Sequence, residues 1–246
     1  MRVDLVTLFP ELFDTFIETS FVGRAIERGS LSVQRRSPRE FGLGKHRSVD
    51  DTPYGGGSGM LMRVDVLCAC MDSLDETAAA AGQPRAHRVL LTPQGAPLVQ
   101  ATVERLAGLP ALMLVCGRYE GFDDRVRTFV DEEISLGDFV LTGGEVAAMA
   151  IVEACIRLLP GVLGNEDSTR DESHSPRACG LLEYPQYTRP AEFRGLPVPE
   201  PLVSGNHAVI ERWRREQSQE RTRQRRPEVF ARFEQANPPP PPKKKR

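Results

Sequence analysis

Two glycine-bearing turns carry residue types suited to holding a small polar ligand. Val115-Cys116-Gly117-Arg118-Tyr119-Glu120-Gly121 follows the apolar run Ala111 to Val115. Ser135-Leu136-Gly137-Asp138-Phe139-Val140-Leu141-Thr142-Gly143-Gly144-Glu145 leads into an apolar, helix-like stretch. A third turn, Leu91-Thr92-Pro93-Gln94-Gly95, ends another β-rich run. Each places pliant backbone at the carboxyl end of a buried strand, where open α/β sheets bind ligands. Backbone donors and acceptors with little side-chain bulk suit the edges of an adenine ring and a ribose. Arg118 is the lone base in these turns, so no cationic cluster waits for a triphosphate. The chemistry points to a nucleoside ligand without phosphates, of which S-adenosylmethionine is the commonest cofactor.

Other motifs are weaker. Tyr54-Gly55-Gly56-Gly57-Ser58-Gly59-Met60 fits neither the dinucleotide fingerprint nor the P-loop. It reads equally well as a lid over a ligand and as a flexible surface loop. Cys68 and Cys70 are one residue apart in an apolar helical pattern, and no second pair stands at zinc-ligand spacing, so no metal site is expected.

The elements that must position these turns alternate up to about Pro160. Val3–Phe9, Leu31–Gln34, His87–Thr92 (ended by Pro93) and Ala111–Val115 read as strands. Glu11–Gly29, Val64–Ala80, Pro97–Ala107, Asp123–Val130 and Glu145–Leu159 read as helices. The alternation implies an α/β fold with a mostly parallel sheet and helices on both faces. Residues 161–180 turn polar and irregular, an interdomain linker or active-site loop. A proline-bearing extended stretch follows, then a helix from the cap residue Asn206 to Arg226, stopped by Pro227. The expected organisation is a ligand-binding domain over 1–160, the loop over 161–180, a small helical domain over 181–237 and a disordered Pro/Lys tail over 238–246.

With 27% charged residues and 40% from the AVILMFWYC set, the 246 residues suit a soluble globular chain. No run approaches the roughly 18 apolar residues of a membrane span. The N-terminus reads as a strand rather than a signal peptide. Five scattered cysteines make a disulfide framework a poor fit, so a reduced, cytoplasmic protein is expected. The net charge of −2 hides an asymmetry: from Gly205 onward 12 Lys and Arg face 5 Asp and Glu. A basic C-terminal region on an acidic body suits a polyanion met in one place.

The motifs together resemble the bacterial tRNA (guanine-N1) methyltransferases of the TrmD family, in the SPOUT class. The matching segments are Leu8-Phe9-Pro10-Glu11, residues 46–57, Thr92-Pro93-Gln94-Gly95, the two glycine turns, Pro160–Gly164, Tyr187–Pro190 and Ser204–His207. The resemblance covers Val3 to about Pro227. It implies a C-terminal trefoil knot in the N-terminal domain, against the usual unknotted rule. It also implies a homodimer whose active sites are built from both chains, and methyl transfer from S-adenosylmethionine to N1 of the guanosine at tRNA position 37. By similarity Gly117, Ser135 and the stretch Leu136, Gly137, Asp138, Phe139, Val140 and Leu141 contact the cofactor. Thr92, Pro93, Tyr119, Glu120, Gly121, Gly143 and Gly144 lie around it.

N1 of guanine carries a proton, so a base must remove it while a cation steadies the charge arriving on O6. The resemblance places Arg157 beside O6 and the base in the 161–180 loop. Where the family has Asp, this chain aligns Glu172, preceded by Asp171; Glu172 is the expected base and Asp171 its substitute. Residues 176–179 lengthen the loop, and the acid that approaches the cofactor from the partner chain falls on Glu183. The basic stretch Arg212 to Arg226 is expected to meet the phosphates of the anticodon stem-loop. Two rivals remain: a SPOUT methylase acting on ribosomal RNA or a ribose hydroxyl, and an inactive RNA-binding module.

Overall fold

A computed structural model describes residues 1–163, 172–176 and 178–238. The chain divides into two units, Met1–Gly164 and Asn165–Arg246. The centre of the first is a five-stranded sheet in the order β2-β1-β6-β5-β7. Its strands are β1 (Arg2–Val6), β2 (Ser32–Arg36), β5 (His87–Pro97), β6 (Ala111–Cys116) and β7 (Glu132–Ser135), and every pairing is parallel. Two short strands, β3 (Asp50–Asp51) and β4 (Leu61–Met62), form an antiparallel hairpin around the glycine-rich loop.

The sheet is covered on both faces, as a parallel sheet must be. Along β6, Leu112, Leu114 and Cys116 face one core with α2 (Ser20–Glu27), α4 (Gln100–Ala107) and α5 (Glu145–Ile156). Ala111, Met113 and Val115 face a second core with α3 (Val64–Ala80). Helix α5 is apolar almost all round because it packs against the sheet, α2 and α4 at once. The expected α/β architecture is therefore present, with corrections at four prolines and caps.

The expected helix Glu11–Gly29 is broken into a 3-10 turn (Pro10–Phe13), α1 (Asp14–Glu18) and α2, because Thr19 is extended and Ser20 has φ +56°. Pro93 does not end β5. The strand runs on to Pro97, with the ladder slipping register between Leu91 and Ala96, so Thr92–Gly95 bulge out of the sheet. Pro97 thus closes the strand, and α4 starts only after the extended Val99. The expected helix Asp123–Val130 is a 3-10 segment, Asp124–Phe129, capped by the Asp123 carboxylate accepting from the Arg125 N–H at 3.0 Å.

In the second unit a small hairpin, β8 (Glu192–Phe193) with β9 (Leu196–Pro197), precedes α6 (Glu200–Val203). Helix α7 (His207–Arg225) starts where expected, the Asn206 carboxamide oxygen accepting from the N–H groups of Ala208 and Val209. It ends before Pro227 as expected, and Pro227 opens a further helix, α8 (Pro227–Ala236), since a first-turn proline lacks only an N–H that the helix leaves unpaired anyway. Pro238 is the last described residue of the tail.

Candidate active site

A cavity of about 550 Å³ lies at the carboxyl ends of β5, β6 and β7. All three turns reach it. Thr92, Pro93 and Gln94 come from the bulge after β5, Gly117 to Phe122 from the turn after β6, and Ser135, Leu136 and Phe139–Gly144 from the loop after β7. The expected cofactor residues Gly137 and Asp138 sit on that loop but are not among the lining residues.

Close backbone approach decides why glycine stands in the wall. A Cβ on Gly144 would fall 2.7 Å from the Cys116 Cα and 2.9 Å from the Gly117 nitrogen, and one on Gly95 would fall 2.5 Å from the Ile134 nitrogen. Backbone cannot swing away as a side chain can, so the turns nest only without side chains. The Gly144 N–H donates to the Gly117 carbonyl at 3.0 Å and pins the β6 and β7 turns together. Tyr119 occupies left-handed backbone (φ +59°) inside the first turn. Burial pushes its phenol up from the usual range, helped by the nearby Asp50 carboxylate and opposed by Arg39.

The cavity's cations are already engaged. Arg118 reaches Glu145 at 2.9 Å, and Glu145 is almost wholly buried at the start of α5. The Glu145 Oε1 also accepts from the Thr7 hydroxyl at 2.8 Å, while the Arg118 guanidinium lies 4.5 Å from the Phe9 ring centre and donates to the Thr142 carbonyl at 3.3 Å. One arginine thus joins the end of β1, the β6 turn and the β7 loop. Arg127, on the opposite wall, pairs with Asp124 at 2.6 Å and with Glu133. The cavity offers amide groups, apolar surface from Leu136, Phe139 and Val140, and no uncommitted arginine for a phosphate. Arg118 was legible as the lone base of the turns and Gln94 as part of the third turn, whereas Thr7, Phe122 and Arg127 gave no local signal.

The β3–β4 hairpin is tied to the same turn. The Met62 N–H donates to the Gly121 carbonyl at 2.9 Å and the Glu120 N–H to the Met60 carbonyl at 3.0 Å. Gly59 lies directly against the Glu120 side chain, and Tyr54 at the loop tip is fully exposed.

A profile of the tRNA (Guanine-1)-methyltransferase TrmD family matches residues 1–232. The chain belongs to this family. It is 62% identical to a tRNA (guanine-N(1)-)-methyltransferase of Sorangium cellulosum, over 97% of this chain and 96% of that protein. Proteins of the same name from Geotalea uraniireducens (52% identical) and Heliobacterium modesticaldum (51%) each match 94% of this chain and cover 90% and 84% of their own lengths. The chain is a tRNA guanine-N1 methyltransferase.

The expected catalytic residues divide between the two units. Arg157 is the half-buried C-cap residue of α5 in the first. Glu172 lies in the second, at the head of a turn in which its carbonyl accepts from the Ser175 N–H at 3.1 Å. Asp171 lies outside the described residues. The segments that carry Glu172 and Glu183 are joined: the Glu183 N–H donates to the Ser173 hydroxyl at 3.0 Å and the His174 N–H to the Leu181 carbonyl at 3.0 Å. Cys68 and Cys70 are on α3, and burial pushes the Cys70 thiol up to about 12, as suits a core residue. No helix among the described residues is long and apolar enough to cross a membrane.

Proposed function

We propose that the chain transfers a methyl group from S-adenosylmethionine to N1 of the guanosine at tRNA position 37. The observation that carries this reading is the cavity at the sheet's carboxyl end, rimmed by amide groups and with both its arginines already paired. Its volume falls within the range of small-molecule sites. A dinucleotide or triphosphate would need an uncommitted cation or a phosphate-cradling loop, whereas an adenosyl group needs amide contacts and apolar walls, which are present. Gly117, the stretch Ser135 to Leu141, and the surrounding Thr92, Pro93, Tyr119, Glu120, Gly121, Gly143 and Gly144 are the residues proposed to hold it, with Glu183 contributed by a second chain. When bound, S-adenosylmethionine supplies an electrophilic methyl on a sulfonium, and in-line placement is most of what such a transfer requires.

The chain's own residues then supply proton and charge management. Glu172, or Asp171 before it, accepts the N1 proton, and the freed electron pair delocalises towards O6. Arg157 offers a fixed cation to that oxygen, where preorganised charge lowers the barrier most. A longer Glu arm in place of Asp moves the carboxylate by about one C–C bond, which the loop must absorb. The family resemblance brings with it a trefoil knot and a homodimer with shared active sites. The close backbone approach of Gly144 to Cys116 accords with the first, and the exposure of Phe139 (54%) and Val140 (81%) beside the cavity supports the second. The arginines of α7 are proposed to meet the anticodon stem-loop, and a cytoplasmic site of action accords with the five scattered cysteines.

Methylating total tRNA with labelled S-adenosylmethionine and mapping the product is expected to place the label on N1 of the guanosine at position 37. Label on a ribose or on ribosomal RNA alone would overturn the reading. In single-turnover assays Glu172→Gln is expected to slow transfer by about a hundredfold or more, as loss of a general base does. Asp171→Asn is expected to have a smaller effect; if neither slows transfer, the base lies elsewhere.

A further inference from the structure

The second unit holds a cleft of its own, about 200 Å³, lined by Tyr184, Pro185, Gln186, Tyr187, Leu202, Ile210 and Arg214. It is below the size of sites that enclose a whole small molecule, and suits a single flat heterocycle. Its construction is specific. Residues after Leu181 have no regular structure, yet they are strapped to α7 by backbone groups. The Ser218 hydroxyl donates to the Leu182 carbonyl at 2.6 Å, the Leu182 N–H donates to the buried Thr222 hydroxyl at 2.9 Å, and Arg221 donates to the Glu183 carbonyl at 3.3 Å. Because the straps use only backbone of this segment, the side chains of 184–187 remain to form a wall.

That wall is aromatic and cationic. The Arg214 guanidinium lies 4.8 Å from the Tyr184 ring centre, and the Tyr187 ring leans on Trp213 at 6.4 Å with half its surface exposed. The floor is apolar, from Leu202 and Ile210. The Nε of Arg214 is buried and has no acceptor, although its Nη1 is 3.7 Å from the Glu211 carboxylate. A buried donor without a partner is costly, and an incoming acceptor would remove that cost. Exposed Arg212 and Arg215 flank Arg214 on α7 among exposed Glu211 and Glu216, so three arginines face two carboxylates there.

We propose that this cleft binds one unstacked base of the tRNA, its face against Tyr187 and an acceptor on its edge towards Arg214. Single-stranded RNA is read in this way, by aromatic and guanidinium planes that take splayed-out bases. The inference rests on tRNA being the substrate, and adds a second base-binding place separate from the cavity at the sheet. Phosphate contacts along α7 would hold the RNA regardless of sequence. A pocket for a base would fix its register.

The test uses the full chain and anticodon stem-loop RNAs in which each loop nucleotide in turn is made abasic. One abasic position is expected to weaken binding to the unaltered protein about tenfold, the scale of one stacked base. Tyr187→Ala is expected to raise the KM for tRNA by a similar factor, leave S-adenosylmethionine affinity unchanged, and abolish the further loss at that abasic position. Tyr187→Phe should restore it, which separates stacking from folding. Arg214→Gln should weaken the RNA without altering its stacking signature, read as quenching of Trp213, the chain's single tryptophan. The proposal is overturned if no abasic position matters to the unaltered protein, or if every abasic loss keeps its size in Tyr187→Ala. If the unaltered protein methylates tRNA under those outcomes, the cleft alone fails; if it neither binds nor methylates tRNA, the substrate reading fails with it.

Discussion

The two units are held together by different physics. In the first, 36 buried apolar residues pack into two cores on either face of a parallel sheet, and the cavity is then shaped by backbone against backbone. In the second, the buried apolar residues among those described are Leu181, Val229 and Phe230, and the extended segment after Leu181 is held by side chains of α7 bonding to its backbone. Burial fixes a site rigidly because many contacts must fail together. Straps of a few hydrogen bonds fix a surface more loosely, each contributing about 1 kcal/mol. The contrast fits the proposed division of labour: a small cofactor needs a stiff, narrow fit, while an RNA surface works through charge and a few anchors.

The sharpest way to break the contrast is Gly144→Ala. Its methyl would meet Cys116 and Gly117 backbone that cannot yield, so the β6 and β7 turns must part. Overpacking of this kind costs about 1–3 kcal/mol. We expect a fall in melting temperature and loss of S-adenosylmethionine binding by calorimetry, with tRNA binding largely kept. Retained cofactor affinity would mean that the cavity wall is softer than its geometry implies.

A smaller effect is expected from Glu145→Gln, which keeps volume but removes the charge that Arg118 and Thr7 both engage. Breaking one side of a buried pair is costly, by about 3–5 kcal/mol in severe cases; Gln can still accept from both donors, so the loss should be less. Cofactor affinity should fall about tenfold and the Thr7→Val variant less. An unchanged affinity would show that the arginine holds the two turns without its carboxylate.

The smallest change is expected in the second unit. Thr222→Val removes the acceptor for the Leu182 N–H and the hydroxyl donor to the Ser218 carbonyl. Stability should fall by about 1 kcal/mol, the worth of one hydrogen bond, since the half-buried Leu182 N–H loses its acceptor. In titrations, tRNA affinity should weaken and cofactor affinity stay as it was. If cofactor affinity falls instead, the separation of roles between the units is wrong.

Much of this was legible in order along the chain. The strands β1, β5 and β6, helices α3 and α5 and the cap at Asn206 follow from hydrophobic period and end signals, and the glycine turns announced the cavity at the strand ends. Prolines misled the reading twice. Pro93 does not end its strand, because it lies in a bulge that has left the ladder and needs no N–H there, and Pro97 does not start a helix, because the strand rejoins the ladder and closes on it. The break at Ser20 was hidden because the apolar spacing of α1 and α2 is continuous through it.

Taken alone, the sequence determined which backbone would be pliant, which elements would be buried and where positive charge would gather, because each depends on neighbours within a few residues. Tertiary structure decided the rest. Thr7 and Glu145 are 138 positions apart, and only the order of strands brings them to one arginine, which makes it a clamp between turns. Likewise Tyr184 and Arg214 become one cleft wall only after a segment without regular structure is strapped onto α7. Which groups remain unpaired and face a space is a property of packing, and packing is settled by contacts between residues remote in the chain.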